Sequence, residues 1–477
     1  MKPGDEMDLV VEGAAVDGKT VARSDGMVIF VKGAAPGDGV RARIGRVKKS
    51  FAEATVVRVT VPSPVRTLPR CSYFGICGGC TWQHVAYEAQ LDFKRRQVRD
   101  ALERIGGFRD IAVNPVLGSE KPYWYRNKME FSFGDPWYPP DEWEERHVTS
   151  GADAGRTFAL GLHIPGRYDK VLDLEECWLQ SETSVAIVNA IRGFARANRL
   201  AVYSPNVQTG YLRNLVLRTA ARTGELMVNL VTGDDRPDIM TALRDELVRS
   251  FPGITTIVNN ITRRLSSVAL GEIEKVYHGP GTITEQIGKR VYRISANSFF
   301  QTNTVQAEVL YETARRLAAL TPGDVVYDLY SGTGTIALHV ADDVRMVVGI
   351  EAAPSAVEDA KRNAAMNNVA NCVFMLGDLK DSLTKNTGWR ELHGSPDVVI
   401  VDPPRAGMHE KVIRELRHLS PRRIVYISCN PATQARDLKL LCQDGVYTPG
   451  EIQPVDMFPH TSHVECVAEV CSRTPAV

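Results

Sequence analysis

From about residue 293 the chain repeats one pattern, a helical-period stretch followed by a short apolar run. The spacing predicts a helix over 305–320, a strand over 325–329, a glycine turn, a helix from Ile336 and a strand over 346–350. A helix over 355–367 and strands over 372–376, 397–401 and 423–428 follow. Strands separated by helices are joined by crossovers, which give a parallel sheet covered on both faces, with ligands at the carboxyl ends of the strands. Residues 293–477 are therefore expected to form a doubly wound, Rossmann-like α/β domain.

A chain of 477 residues exceeds what one core organises. Residues 1–62 show short alternating runs punctuated by Asp17-Gly18, Asp25-Gly26 and Asp38-Gly39, which predicts a small OB-like β-barrel. Between Arg41 and Lys49 lie Arg41, Arg43, Arg46, Lys48 and Lys49 and no acid, a stripe suited to tracking phosphates or to protecting a strand edge. Lys+Arg 57 balance Asp+Glu 57, so any polyanion must be held by such local patches. Pro62, Pro64 and Pro69 link the barrel to a mixed α+β region over 63–292. There, 87–104 reads as a surface helix carrying Lys94, Arg95, Arg96 and Arg99, and 135–156 as a long acidic loop. Strands and helices between 110 and 290 mix without a readable order. The start lacks an apolar signal core and no long apolar span occurs, so a cytoplasmic protein is expected.

The run Val325-Val326-Tyr327-Asp328-Leu329-Tyr330-Ser331-Gly332-Thr333-Gly334 carries a strand into a glycine turn, where backbone can approach a ligand closely. The next strand ends in Glu351, placed to take ribose hydroxyls, and the one after leads to Asp378, placed to meet an adenine amino group. A third glycine of the dinucleotide fingerprint is missing, and so is the Gly-Lys-Ser/Thr of a phosphate loop. Two acids without a phosphate-binding cation suit a cationic nucleoside, S-adenosylmethionine.

Asp402-Pro403-Pro404-Arg405 and Ser428-Cys429-Asn430-Pro431 each follow an apolar strand, so Asp402 and Cys429 are expected at strand ends beside that cofactor. Pro459-His460-Thr461-Ser462-His463-Val464-Glu465 offers a metal site or, more in keeping with a thiol and a methyl donor, a general base. A thiol, a carboxylate and a sulfonium together suit methylation of uracil carbon 5. That carbon becomes nucleophilic only after a thiolate adds to carbon 6. Amino-group methylation, the rival for an Asp-Pro-Pro segment, usually follows those residues with an aromatic, where this chain has Arg405. A non-catalytic RNA-binding protein on a degenerate methyltransferase fold is the alternative from another class.

These residues make the chain resemble the RNA 5-methyluridine (uracil-5-)-methyltransferases, most densely from Ala296 to Val470, and among them the members with a TRAM barrel and an iron–sulfur cluster. Phe299-Phe300-Gln301-Thr302-Asn303 is similar to the family's motif before the cofactor domain. The resemblance implies that Gln301 touches cofactor and uracil, Tyr330 packs on the cofactor beside Gly332, Glu351 takes its ribose and Asp378 its adenine. It implies Asp402 near the uracil and the methionyl amine, Cys429 as nucleophile, Glu465 as base, and Arg126 of Tyr125-Arg126-Asn127-Lys128 in the uridine pocket.

Nine cysteines in a reducing compartment are core thiols, nucleophiles or metal ligands. Cys71, Cys77 and Cys80, with Cys177 as a fourth, suit zinc or iron–sulfur equally by spacing. The resemblance implies a [4Fe–4S] cluster on these four. It further implies a monomer acting on RNA, ribosomal ahead of transfer RNA, and no membrane.

Overall fold

Alternation of inward and outward side chains closes the first strands on themselves: β1 (Glu6–Ala14), β2 (Thr20–Ser24), β3 (Met27–Lys32), β4 (Gly39–Val47) and β5 (Phe51–Val61) form a closed barrel, in the order β1-β2-β3-β5-β4. Along β4, Val40, Ala42 and Ile44 fill the interior, and Arg41 and Arg43 between them face out. Arg41 pairs with Asp8 at 3.0 Å and Arg43 with Glu6 at 2.9 Å across the β1–β4 ladder. Two members of the basic stripe thus already have acidic partners, and Arg46, Lys48 and Lys49 remain exposed where β4 turns into β5. The computed structural model describes residues 1–15, 18–137, 158–205, 207–265, 269–383 and 388–473. The acidic loop expected over 135–156 falls outside them from residue 138 on.

The middle of the chain supplies β6 (Lys128–Pro136), β7 (Ala159–Ile164), β8 (Arg167–Asp173), β9 (Leu212–Thr219), β10 (Leu226–Thr232), β11 (Thr256–Ile261) and β12 (Ile273–His278). They make a sheet in the order β12-β11-β10-β9-β6-β7-β8, with β10–β11 parallel. Helices Glu182–Ala197 and Pro237–Ser250 cover it, burying Ile187, Ile191, Leu243 and Leu247 against Phe131, Leu160, Leu215 and Leu230. A hairpin of β13 (Thr282–Ile287) and β14 (Arg290–Ser295) follows. Its Ile283, Ile287, Tyr292 and Ile294 share a core with Leu310, Val326 and Val347, so the core of the third region reaches back before residue 293.

The last sheet joins β15 (Val325–Leu329), β16 (Met346–Glu351), β17 (Cys372–Leu376), β18 (Val398–Val401), β19 (Arg423–Ser428), β20 (Tyr447–Val455) and β21 (Glu465–Ser472) in the order β17-β16-β15-β18-β19-β21-β20. β15 to β19 pair in parallel, and β21 runs antiparallel between β19 and β20. This is the Rossmann-like architecture expected from the alternation. Strand order reverses between β15 and β18, and there the carboxyl ends open a crevice.

The helix Tyr87–Ala101 corrects one expectation. It is not a free surface helix, because Val98 and the following Leu102 pack with Ala435, Leu438 and Ile452 of the C-terminal domain. Lys94 is fully buried and its ammonium meets Asp456 at 2.6 Å, so it cannot serve as a phosphate contact. Helical spacing placed a lysine on the apolar face, and a buried acid from a distant segment makes that position tenable. Arg95, Arg96 and Arg99 do lie on the exposed side. Among the described residues no helix is long and apolar enough to cross a membrane.

Candidate active site

The end of β15 turns sharply. Tyr330 (φ 64°), Gly332 (φ 53°) and Gly334 (φ 80°) all take left-handed backbone, and the Tyr330 and Ser331 N–H groups donate to the Ile350 carbonyl at 3.0 and 3.2 Å. Glu351 fixes this turn: its carboxylate accepts from the N–H of Gly332 at 3.0 Å and from those of Ala352 and Ala353 at 2.8 Å each. Asp378 ends the segment after β17 and accepts from the Lys380 N–H at 3.0 Å. A recess of about 680 Å³ lies here, lined by Tyr330, Ile350, Ala352, Asp378 and Met408. That volume is within the range of small-molecule sites. Gln301 stands ahead of the helix Thr304–Ala318, and its carbonyl accepts from Asn127 Nδ2 at 3.0 Å.

The next two strand ends bring the reactive groups. Asp402 follows β18, and Cys429 follows β19 just before the Asn430 cap of the helix Pro431–Cys442. The β19–β21 ladder ends with Ser428 opposite Cys466, so Cys429 and Glu465 are the residues that adjoin its last pair.

Burial decides the protonation states. It pushes the Glu465 carboxyl up to about 8, with Asp402 adding to the rise and Arg405 opposing it. It holds Asp402 at about 7. The Cys429 thiol is pushed up to about 11, first by burial and then by Glu465, against the pull of Arg405. A cation entering this neighbourhood favours the ionised form of all three.

Arg405 was passed over as a site residue in the sequence, where it counted only as the absence of an aromatic. Its place directly after Asp402-Pro403-Pro404 was the available signal. Its carbonyl accepts from Asn430 Nδ2 at 3.1 Å and from Thr433 Oγ1 at 3.2 Å, which ties this loop to the helix beginning after Cys429. Arg126 lies elsewhere. Its Nε donates to the Lys128 carbonyl at 3.1 Å, and it lines a separate cavity with Trp124, Asn127, Asn303 and Thr304. Cys429, Asp402 and Glu465 do not line that cavity.

Cys71, Cys77, Cys80 and Cys177 line one small cavity together with Phe74, Gln83, Leu162 and Trp178. Gly79 N–H donates to Cys77 Sγ at 3.4 Å and Gln83 Nε2 to Cys80 Sγ at 3.3 Å. Burial raises all four thiols, Cys77 to about 11 and Cys80 to about 12. Yet among the described residues no three His, Cys, Asp or Glu side chains are arranged to hold a single metal ion. In the segment before Glu465, His460 faces Gln90 and stacks on Tyr123, with ring centroids 4.2 Å apart.

Fold and barrel together fit an S-adenosylmethionine-dependent RNA methyltransferase, and comparison with known proteins shows the family. Residues 280–471 match the family model described as tRNA (uracil-5-)-methyltransferase, and residues 1–57 match the TRAM domain. A Bacteroides thetaiotaomicron protein described as an uncharacterized RNA methyltransferase is 44% identical, over 95% of this chain and 98% of that protein. A Porphyromonas gingivalis protein with the same description is 44% identical over 96% and 98%. The crystal structure of Pyrococcus abyssi tRNA (uracil-54, C5)-methyltransferase with S-adenosyl-L-homocysteine superimposes with a TM-score of 0.74 at 31% identity, covering 97% of this chain and all of that one. The chain belongs to the (uracil-5-)-methyltransferase family of RNA-modifying enzymes.

Proposed function

We propose that the enzyme methylates carbon 5 of a uridine through a covalent bond between Cys429 and carbon 6. The Cys429 thiolate adds to carbon 6, and the electrons of the 5,6 double bond move toward the carbon 4 carbonyl. Carbon 5 then attacks the donor methyl, whose bond to the sulfonium breaks to leave a neutral thioether. Glu465 removes the carbon 5 proton, the double bond re-forms and the thiolate departs. Asp402 sits near the uracil and the methionyl amine, with Gln301 touching cofactor and uracil. Tyr330 and Gly332 cradle the cofactor, Glu351 takes the ribose and Asp378 the adenine. The observation that carries this reading is the closeness of the groups: Cys429 and Glu465 adjoin the last pair of the β19–β21 ladder, and the Glu465 and Asp402 carboxyls both bear on the Cys429 thiol.

Cys71, Cys77, Cys80 and Cys177 would hold a [4Fe–4S] cluster. The fit rests on four partly buried thiols that line one cavity, two of them receiving N–H donors. Such a cluster supplies a rigid tie between the residue 71–80 loop and Cys177. No electron-transfer step is required of it.

The target we favour is large-subunit ribosomal RNA, on the combination of barrel and cysteine set. A transfer RNA target is the second reading, favoured by the solved relative named for transfer RNA uracil 54. RNA carrying tritium at uridine carbon 5 tests the reaction: each methyl transferred should release one tritium to water, and transcripts of the two RNA classes should separate the targets. Methyl transfer without tritium release contradicts carbon 5 chemistry.

A further inference from the structure

Residues 456–464 lead from β20 into Glu465 and form neither helix nor strand, yet all but Phe458 and His463 are buried. They are fastened from outside the last sheet. The Lys94 ammonium donates to Asp456 Oδ1 at 2.6 Å and to the Phe458 carbonyl at 3.1 Å, and Tyr87 OH donates to Asp456 Oδ2 at 2.9 Å. Gln90 grips His460 twice: its Oε1 accepts from the His460 N–H at 2.9 Å, and its Nε2 faces the ring Nδ1 at 3.2 Å. The His460 carbonyl accepts from the N–H groups of Thr81 and Trp82, directly after Cys80, at 2.9 Å each. Tyr123 stacks on the ring, and Tyr125 OH donates to the Pro459 carbonyl at 3.1 Å.

His460 also holds φ 63°, left-handed backbone in a residue with a bulky side chain. Such strain survives only where surrounding contacts over-determine it. Helix, cysteine loop and aromatic wall all meet at this one residue. Cys429 is positioned separately, by β19 and the Asn430 cap.

We propose that His460 is a positioning residue for Glu465: the helix Tyr87–Ala101 and the loop bearing Cys80 hold its backbone, and the strap it anchors aims the carboxyl at the carbon 5 proton. This inference rests on the reading of Cys429 as nucleophile and Glu465 as base. Loosening the strap moves the base and leaves the thiol in place. Addition and methyl transfer then proceed, proton removal slows, and the methylated covalent adduct accumulates.

The hold on His460 is mainly through its backbone, so the substitutions have an order. His460→Gly accepts the left-handed conformation and keeps N–H and carbonyl, whereas the β-branched side chain of His460→Val does not fit there. The test uses full-length enzyme and RNA isolated from a strain deleted for it, with turnover, KM and a denaturing gel for protein–RNA adduct. His460→Val and Gln90→Met should lose roughly 10- to 100-fold in kcat, as a slightly misplaced catalytic group does. Both should keep the KM for S-adenosylmethionine and accumulate a denaturation-resistant adduct already methylated at carbon 5. His460→Gly should lose clearly less. If His460→Val does not fold, Gln90→Met carries the same test. Folded variants that lose activity without adduct, or a glycine variant as impaired as the valine one, overturn the proposal. Glu465→Gln is the control. If it traps no adduct, the assignment of the base has failed, and this inference falls with it for that separate reason.

Discussion

Three carboxyls in or beside the strands of the last sheet, Glu465, Asp402 and Asp328, make this region sensitive to pH. Burial lifts Glu465 to about 8, Asp402 to about 7 and Asp328 to about 8. The same groups titrate near 4 in an unfolded chain. Below about pH 4 both states are protonated and these groups contribute fully to stability. Between about pH 4 and 8 the native state holds more protons than the unfolded one, so stability falls as pH rises. Thermal unfolding of the cofactor-free enzyme should therefore show a Tm that declines from pH 5 to 9, and Glu465→Gln should make the decline shallower. An unchanged slope in that variant would place the titration on other groups. At this scale the sequence was informative about position, since Asp402 and Cys429 were expected after apolar strands and do follow β18 and β19. It said less where a residue acts by electrostatic reach, as Arg405 does, because charge proximity arises only after folding.

Elements were readable where hydrophobic period and burial agree. The strands Val325–Leu329, Cys372–Leu376 and Arg423–Ser428 occur with the bounds expected, since each is a short apolar run between helices. β9 and β10 were not ordered in advance because nearly every residue in them is buried, Arg213, Asn214 and Asn229 included. A strand covered on both faces has no alternation to read. The helix Tyr87–Ala101 was found, but its partner was not, because Lys94 signals solvent until Asp456 is seen beside it. Lys94→Met leaves Asp456 as an uncompensated buried carboxylate and should cost about 3–5 kcal/mol. Combining it with Asp456→Asn should restore much of that loss. Denaturant unfolding of the two variants measures both effects, and a single variant as stable as the parent would contradict the tie.

For the whole molecule, the zero formal net charge means that RNA must be gripped by local patches. With Arg41 and Arg43 paired to acids, the exposed Arg46, Lys48 and Lys49 are the barrel positions best able to meet phosphate. Replacing these three by alanine should weaken RNA binding and flatten its dependence on salt, since fewer counterions are released. Cofactor binding should be unchanged, and an unaltered salt slope would assign RNA binding to other surfaces.

The account turns on a sulfur–carbon bond between enzyme and base. Incubation with 5-fluorouridine RNA and S-adenosylmethionine measures it most directly, because a fluorine on carbon 5 cannot leave as a proton and the adduct persists. Mass spectrometry of the digested complex should place the modified nucleotide on Cys429, and Cys429→Ala should form no adduct while still binding S-adenosylmethionine. Methylation of natural RNA by that variant, or an adduct mapped to another residue, would contradict the mechanism.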